Sequence, residues 1–291
     1  MKNSLILEGG NAVQGVDRIP SGFINDTVEK FTEEAILTAF PELSKEDVFL
    51  TGSTGKKPDS GDIDICIDVR KLKKSVFECL LLFNEYCVKN LSLESYINTF
   101  VMNIVHIKYP QIGSDGKFVQ IDAMLTKNPE FVKFSSCGDV SSTKYKLAHR
   151  NILFNAILFG ISSNVEVYDD DGKPLKWTAL NIESTGIFNE QLTLIDKNGD
   201  LLMYEGKPYE FSAAEKIRRT PYITEVDKAM KLMFGNKIKA EDGNNFEKAF
   251  AIVSSSNFKY RMLFKDIIGY CIVSFRSSSK LEMPVELKQF L

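Results

Sequence analysis

Apolar and polar residues alternate strictly between Asp62 and Asp68. Ile63, Ile65 and Ile67 fall on one face of the implied strand, and Asp62, Asp64, Cys66 and Asp68 on the other. Val48-Phe49-Leu50 upstream reads as a second strand, joined to the first by a turn containing Gly52, Gly55, Pro58 and Gly61. Residues 4–24 are glycine- and proline-punctuated and read as a loop. Asp26-Thr27-Val28-Glu29 has the form of a capping box, which predicts a helix to about Phe40 with an apolar stripe at Val28, Phe31, Ala35 and Phe40, ended by Pro41. After the aspartate strand, Lys71 to Lys89 has helical spacing at Leu72, Val76, Leu80, Phe83 and Val88. Its basic start (Arg70, Lys71, Lys73, Lys74) opposes the helix dipole and reads either as a solvated face or as a nucleic-acid contact.

Thr99 to Tyr109 and Lys117 to Thr126 are rich in β-branched and aromatic residues around Gly113-Ser114-Asp115-Gly116, which predicts a hairpin. Lys144 to Leu158 is helical, with Ser142 as a cap and Leu147, Phe154 and Leu158 on the core face. From Val165 the pattern changes. Two hairpins are predicted, one across Asp169-Asp170-Asp171-Gly172 between Val165–Tyr168 and Leu175–Leu180. The other crosses Asn198-Gly199 between Gln191–Ile195 and Leu201–Tyr204. The acidic turn does not complete the spacing of a calcium loop and reads as solvated. Four helices follow: Ser212–Arg219 behind a second capping box, Thr224–Phe234, Asn245–Ser254 and Asn257–Phe275.

Composition changes this picture little. The 291 residues, 44% hydrophobic and 26% charged, suit one large or two modest globular domains. A net charge of −3 gives no global field for polynucleotides, so any nucleic acid would need a local basic patch. The five cysteines, odd in number and without CxxC spacing, read as reduced thiols in a cytoplasmic protein rather than as a zinc site. The N-terminal stretch is too short and too soon acidic for a signal peptide, and no apolar run reaches the ~20 residues of a membrane span.

The chemistry concentrates at the first turn and strand. Asp62 and Asp64 share a strand face, roughly 6–7 Å apart at the backbone. Like charges at that spacing repel unless a cation lies between them. Mg²⁺ takes oxygen ligands, commonly one or two carboxylates together with phosphate oxygens. Gly52-Ser53 beside them offers backbone N–H groups, a hydroxyl and room for a phosphate. Asp122 is a single acidic residue in the apolar strand Val119-Gln120-Ile121-Asp122-Ala123-Met124-Leu125. A buried carboxylate needs a partner, so it reads either as part of the same site or as a salt-bridged or edge-exposed residue. His106 on the preceding strand reads as an ordinary strand side chain.

Gly52-Ser53, a spacer of eight residues and then Asp62-Ile63-Asp64-Ile65 resembles the signature of the DNA-polymerase-β-like nucleotidyltransferase superfamily, with a slightly short spacer. The string from Gly52 to Asp64, with Glu8-Gly9-Gly10-Asn11, is similar to bacteriophage-encoded nucleotidyltransferases. The strong motif covers residues 50–68, a weaker likeness runs from about 8 to 160, and nothing after that resembles the family. The resemblance implies an α/β (α+β) architecture: a mixed-sheet catalytic domain at 1–140, then an appended α+β, mostly helical domain at 141–291. The boundary falls between 135 and 165, and the nucleotide sits in the cleft between the two. It also implies that Asp62, Asp64 and Asp122 hold two Mg²⁺ ions, replaceable by Mn²⁺, and that Asp122 helps to take the acceptor proton. Gly52, Ser53 and Lys56 would grip the triphosphate of an NTP. In such a family a basic helix after the third carboxylate also binds the triphosphate, which implies Lys146 and Arg150; a solvated charged face is the competing reading.

The expected reaction is transfer of a nucleoside monophosphate to an acceptor hydroxyl with release of pyrophosphate. The basic and aromatic residues Lys216, Arg218, Arg219 and Tyr222, with Lys228 and Lys231, favour an RNA 3′ end such as that of a tRNA. Protein or small-molecule nucleotidylation, and a catalytically silent binding protein with this fold, are the alternatives.

Overall fold

In the computed structural model, which describes residues 12–98, 103–137, 143–164, 178–195, 214–278 and 281–291, the paired aspartates lie on the second strand of a mixed five-stranded sheet. The elements run β1 (Ile19–Pro20), α1 (Ser21–Phe31), a π-helical turn (Thr32–Ile36), α2 (Leu37–Ala39), β2 (Val48–Leu50), β3 (Asp59–Ser60), β4 (Asp62–Asp68), α3 (Val76–Lys89), β5 (Ser95–Asn98), β6 (Ile104–Pro110), β7 (Phe118–Thr126) and α4 (Pro129–Ser136). The sheet order is β2-β4-β7-β6-β5. β4 and β7 are parallel; the other pairs are antiparallel. The chain divides into two units, Met1–Ser141 and Ser142–Leu291, each described by itself below.

The alternation in β4 decides which face becomes core. Ile63, Ile65 and Ile67 are fully buried, with Val105, Ile107, Val119, Ile121 and Leu125 of the neighbouring strands. Phe31, Ile36, Leu80 and Phe83 from the helices cover that face. On the opposite face Cys66, Met124 and Val132 of α4 form a small apolar cluster. The carboxylates occupy the other end of the same face.

Local signals explain most element ends, and several elements differ from the sequence reading. The first helix begins at Ser21, directly after Pro20, not at Asp26. Thr27 is buried inside it, and its Oγ1 accepts from Ile112 N–H at 3.1 Å, so the apparent capping box is not used as one. α3 begins at Val76 behind a working capping box, in which Ser75 Oγ accepts from Glu78 N–H and Glu78 accepts from Ser75 N–H. The basic residues 70–74 therefore precede the helix: Arg70 pairs with Asp68 and Glu130, and Lys71 with Asp47. α4, capped by Asn128 with Pro129 in its first turn, is an element the sequence reading did not propose.

The second unit contains α5 (Leu147–Asn164), β8 (Thr178–Ile182), β9 (Ile187–Ile195), β10 (Ala214–Ile223), α6 (Val226–Phe234), α7 (Phe246–Ser254), α8 (Phe264–Ser277) and α9 (Val285–Lys288). α5 packs against β8, α7 and α8, and buries Leu153, Phe154, Ile157, Leu158 and Ile161. β8 and β9 form a hairpin around residues 183–186, and β10 extends it antiparallel. The helix expected at Ser212–Arg219 is corrected: from Ala214 this segment is strand, because its backbone pairs residue by residue with β9 in a non-local ladder that overrides the local helical pattern. Thr224–Phe234 and Asn245–Ser254 are helical as expected to within two residues, the latter capped by Asn245 Oδ1 accepting from Lys248 N–H. The turns at 169–172 and 198–199, the cap Ser142 and the string Glu8–Asn11 lie outside the described residues.

Candidate metal centre

Strand register builds the site. In the parallel pairing of β4 with β7, Asp64 lies beside Asp122, and Asp62 beside Gln120. In the antiparallel pairing of β7 with β6, Asp122 lies beside His106, and His106 in turn lies beside Tyr96 of β5. One transverse row, Asp64–Asp122–His106–Tyr96, thus crosses four strands. Each of Asp62, Asp64 and Asp122 offers a carboxylate oxygen within 4.8 Å of the others'.

The turn after β2 closes over Asp64. Thr51 N–H donates to Asp64 O at 2.9 Å, and Asp64 N–H donates to Thr54 Oγ1 at 2.9 Å. Gly52 has φ +61°, and its N–H donates to Ser136 O at the end of α4 at 3.0 Å. A Cβ on Gly52 would lie 2.3 Å from Asp64 Oδ2, so backbone conformation and close approach both require glycine here. Ser53 is exposed on the same turn. Lys56 is exposed, and its ammonium donates to Gly52 O at 2.8 Å.

Electrostatically the cluster is crowded with like charge. Burial, then the Asp62 and Asp122 carboxylates, push the Asp64 carboxyl up to about 8. Three crowded carboxylates, one of them held well above the usual range, form a donor set that suits a hard divalent cation with oxygen ligands. The glycine turn leaves open the approach that a side chain would fill. These residues therefore fit a Mg²⁺-type ion.

Asp122 is held by donors that the sequence reading did not single out. His106 Nδ1 lies 2.8 Å from Asp122 Oδ1, and Gln120 Nε2 donates to the same oxygen at 2.8 Å. Gln120 Oε1 accepts from Ala12 N–H and Val13 N–H at 2.9 and 3.0 Å. His106 packs at a tilt against Tyr96, with ring centroids 4.9 Å apart. Arg18, exposed and paired with Asp59, also feels the field of Asp62.

The expected triphosphate residues of the helix after β7 belong to the second unit. Lys146 is exposed. Arg150 is only 1% exposed. Its Nη1 donates to Asn244 O and its Nη2 to Asn151 Oδ1, and the guanidinium lies over the Phe154 ring. Lys144, exposed, pairs with Glu286. Lys216, Arg218 and Arg219 lie on β10.

No protein-family model matches the chain, and no curated protein matches it. Among the described residues no helix is long and apolar enough to cross a membrane.

Proposed function

We propose that the first unit is a divalent-metal-dependent nucleotidyltransferase of the DNA-polymerase-β-like kind, which moves a nucleoside monophosphate from an NTP to an acceptor hydroxyl and releases pyrophosphate. The observation that carries this reading is the convergence of Asp62, Asp64 and Asp122 within 4.8 Å, on adjacent parallel strands under a glycine turn. Bound Mg²⁺ would supply charge neutralisation of the triphosphate and a lowered pKa for the attacking hydroxyl. The remaining work falls to the chain's own residues. Asp62, Asp64 and Asp122 hold the ions. The exposed Ser53 hydroxyl and the Lys56 ammonium, both on the Gly52 turn, would meet phosphate oxygens. Asp122, with Oδ1 occupied by two donors, has Oδ2 left for the cation.

The test is incubation of the full chain with labelled NTPs, Mg²⁺ and a cell lysate, followed by separation of RNA, protein and small molecules. Label in one fraction names the acceptor, with an RNA end as the class first proposed. Asp62→Asn and Asp64→Asn are each expected to abolish labelling while circular dichroism stays that of the wild type. Wild-type turnover in both variants would overturn the assignment.

A further inference from the structure

Asp122 Oδ1 has two lone-pair positions and two close donors, His106 Nδ1 and Gln120 Nε2, each at 2.8 Å. His106 and Gln120 are themselves buried, so neither donor is free to swing away to solvent. With Asp122 ionised, the carboxylate is an acceptor only, and the proton of this contact sits on His106 Nδ1. A carboxylate pinned in this way has one oxygen spoken for and the other fixed in direction. The imidazole is itself held: the Tyr96 ring packs against it at a tilt, and the Tyr96 hydroxyl donates to Ala12 O at 2.5 Å. Gln120 is braced by Ala12 and Val13 through its own Oε1. The clamp therefore reaches from the Ala12–Val13 backbone, through Gln120 on one side and Tyr96 and His106 on the other, to a single carboxylate oxygen.

We propose that His106 is a positioning residue. With Gln120 it fixes Asp122 as a one-oxygen ligand and aims Oδ2 at the divalent cation. This rests on the metal-dependent reading of the carboxylate cluster. Hydrogen-bond partners of ligating groups fix their orientation, and losing one commonly weakens metal affinity 10–100-fold.

The probe is Mn²⁺, titrated into the full chain at neutral pH and followed by loss of the free-ion electron paramagnetic resonance signal. No turnover is needed. His106→Leu removes the donor and keeps an apolar body. His106→Asn returns an amide N–H close to the position of Nδ1. His106→Leu is expected to weaken Mn²⁺ binding about 10–100-fold, with His106→Asn restoring most of it and both variants melting near the wild type. If His106→Leu does not fold, His106→Gln takes its place: its amide reaches beyond the Nδ1 position and is expected to bind Mn²⁺ as weakly. Unchanged affinity in the donor-less variant, with affinity lost in Asp122→Asn, overturns the positioning role and leaves the metal site standing. Equal losses in His106→Leu and His106→Asn also overturn it, because the ring rather than the hydrogen bond would then matter. No Mn²⁺ binding by the wild type, or binding indifferent to Asp122→Asn, overturns the metal reading and this proposal with it.

Discussion

A methyl group on Gly52 would sit 2.3 Å from Oδ2 of Asp64. That is far inside contact distance, and the obstacle is a carboxylate anchored on a central strand. Gly52 also has φ +61°, where an L side chain is strained by about 1–3 kcal/mol. Gly55, three residues on, has φ +72° with nothing within 4 Å of its would-be Cβ. The pair separates strain from collision. Gly52→Ala is expected to lose both stability and Mn²⁺ binding, whereas Gly55→Ala loses stability alone. Urea denaturation and Mn²⁺ titration of both variants check this, and wild-type Mn²⁺ affinity in Gly52→Ala would count against the packing of the turn on Asp64.

The Asp64 carboxyl is pushed up to about 8 from an ordinary 3.8 by burial and by its two acidic neighbours. A raised carboxyl contributes stability that is fully present below the unfolded value and is lost as pH rises through the folded one. In EDTA the wild type should therefore lose stability steadily between about pH 4 and pH 8. Asn at this position carries neither the proton nor the penalty. The melting temperature of Asp64→Asn relative to wild type should climb across that window, and should exceed it at the alkaline end. Parallel pH profiles for the two proteins would rule this out.

Arg150 is a structural cation of the second unit. Removing its guanidinium strands the Asn244 carbonyl and costs about 1–3 kcal/mol for the lost partner, before any packing loss. Arg150→Met is expected to destabilise the chain by at least that amount. Arg150→Lys should not restore it, because an ammonium cannot reproduce the planar fork shared between Asn244 and Asn151. Denaturant midpoints measured by circular dichroism provide the comparison; a midpoint unchanged in Arg150→Met would remove the structural role.

Ser75 and Glu78 reciprocally cap α3. Ser75→Ala should cost about 1 kcal/mol, and Ser75→Asp should recover most of it. The same denaturation series measures both, and no loss in Ser75→Ala would mean that the cap is idle in solution.

The centre of the site was legible because its signals are local. The two-residue alternation of β4 separates Ile63, Ile65 and Ile67 from Asp62 and Asp64 without reference to any other strand. Asp122 stood out as one charge in an apolar strand, and the cost of burying it announces a partner. His106 had no such contrast, and its place depends on strand register that no local signal gives. The turn at Gly113–Gly116 pairs Pro110 with Phe118, and counting back along the ladder sets His106 opposite Asp122. The errors have the opposite character. Ser212–Arg219 has the local form of a helix start, but from Ala214 its partner is a strand upstream in β9, which no window on the sequence contains. Asp26–Glu29 has the form of a cap, but Thr27 was needed to hold Ile112.

Asp64 and Asp122 meet across the one parallel pairing of the described five-stranded sheet, and α3, β5 and β6 all lie between them in the chain. A parallel pair cannot be closed by a tight turn, so this contact waits until the whole intervening crossover has been laid down. A nascent chain that ends before β7 carries Asp62 and Asp64 but not the third carboxylate. The acidic cluster is thus a non-local feature, which comes into being only once β7 has been made and has paired with β4.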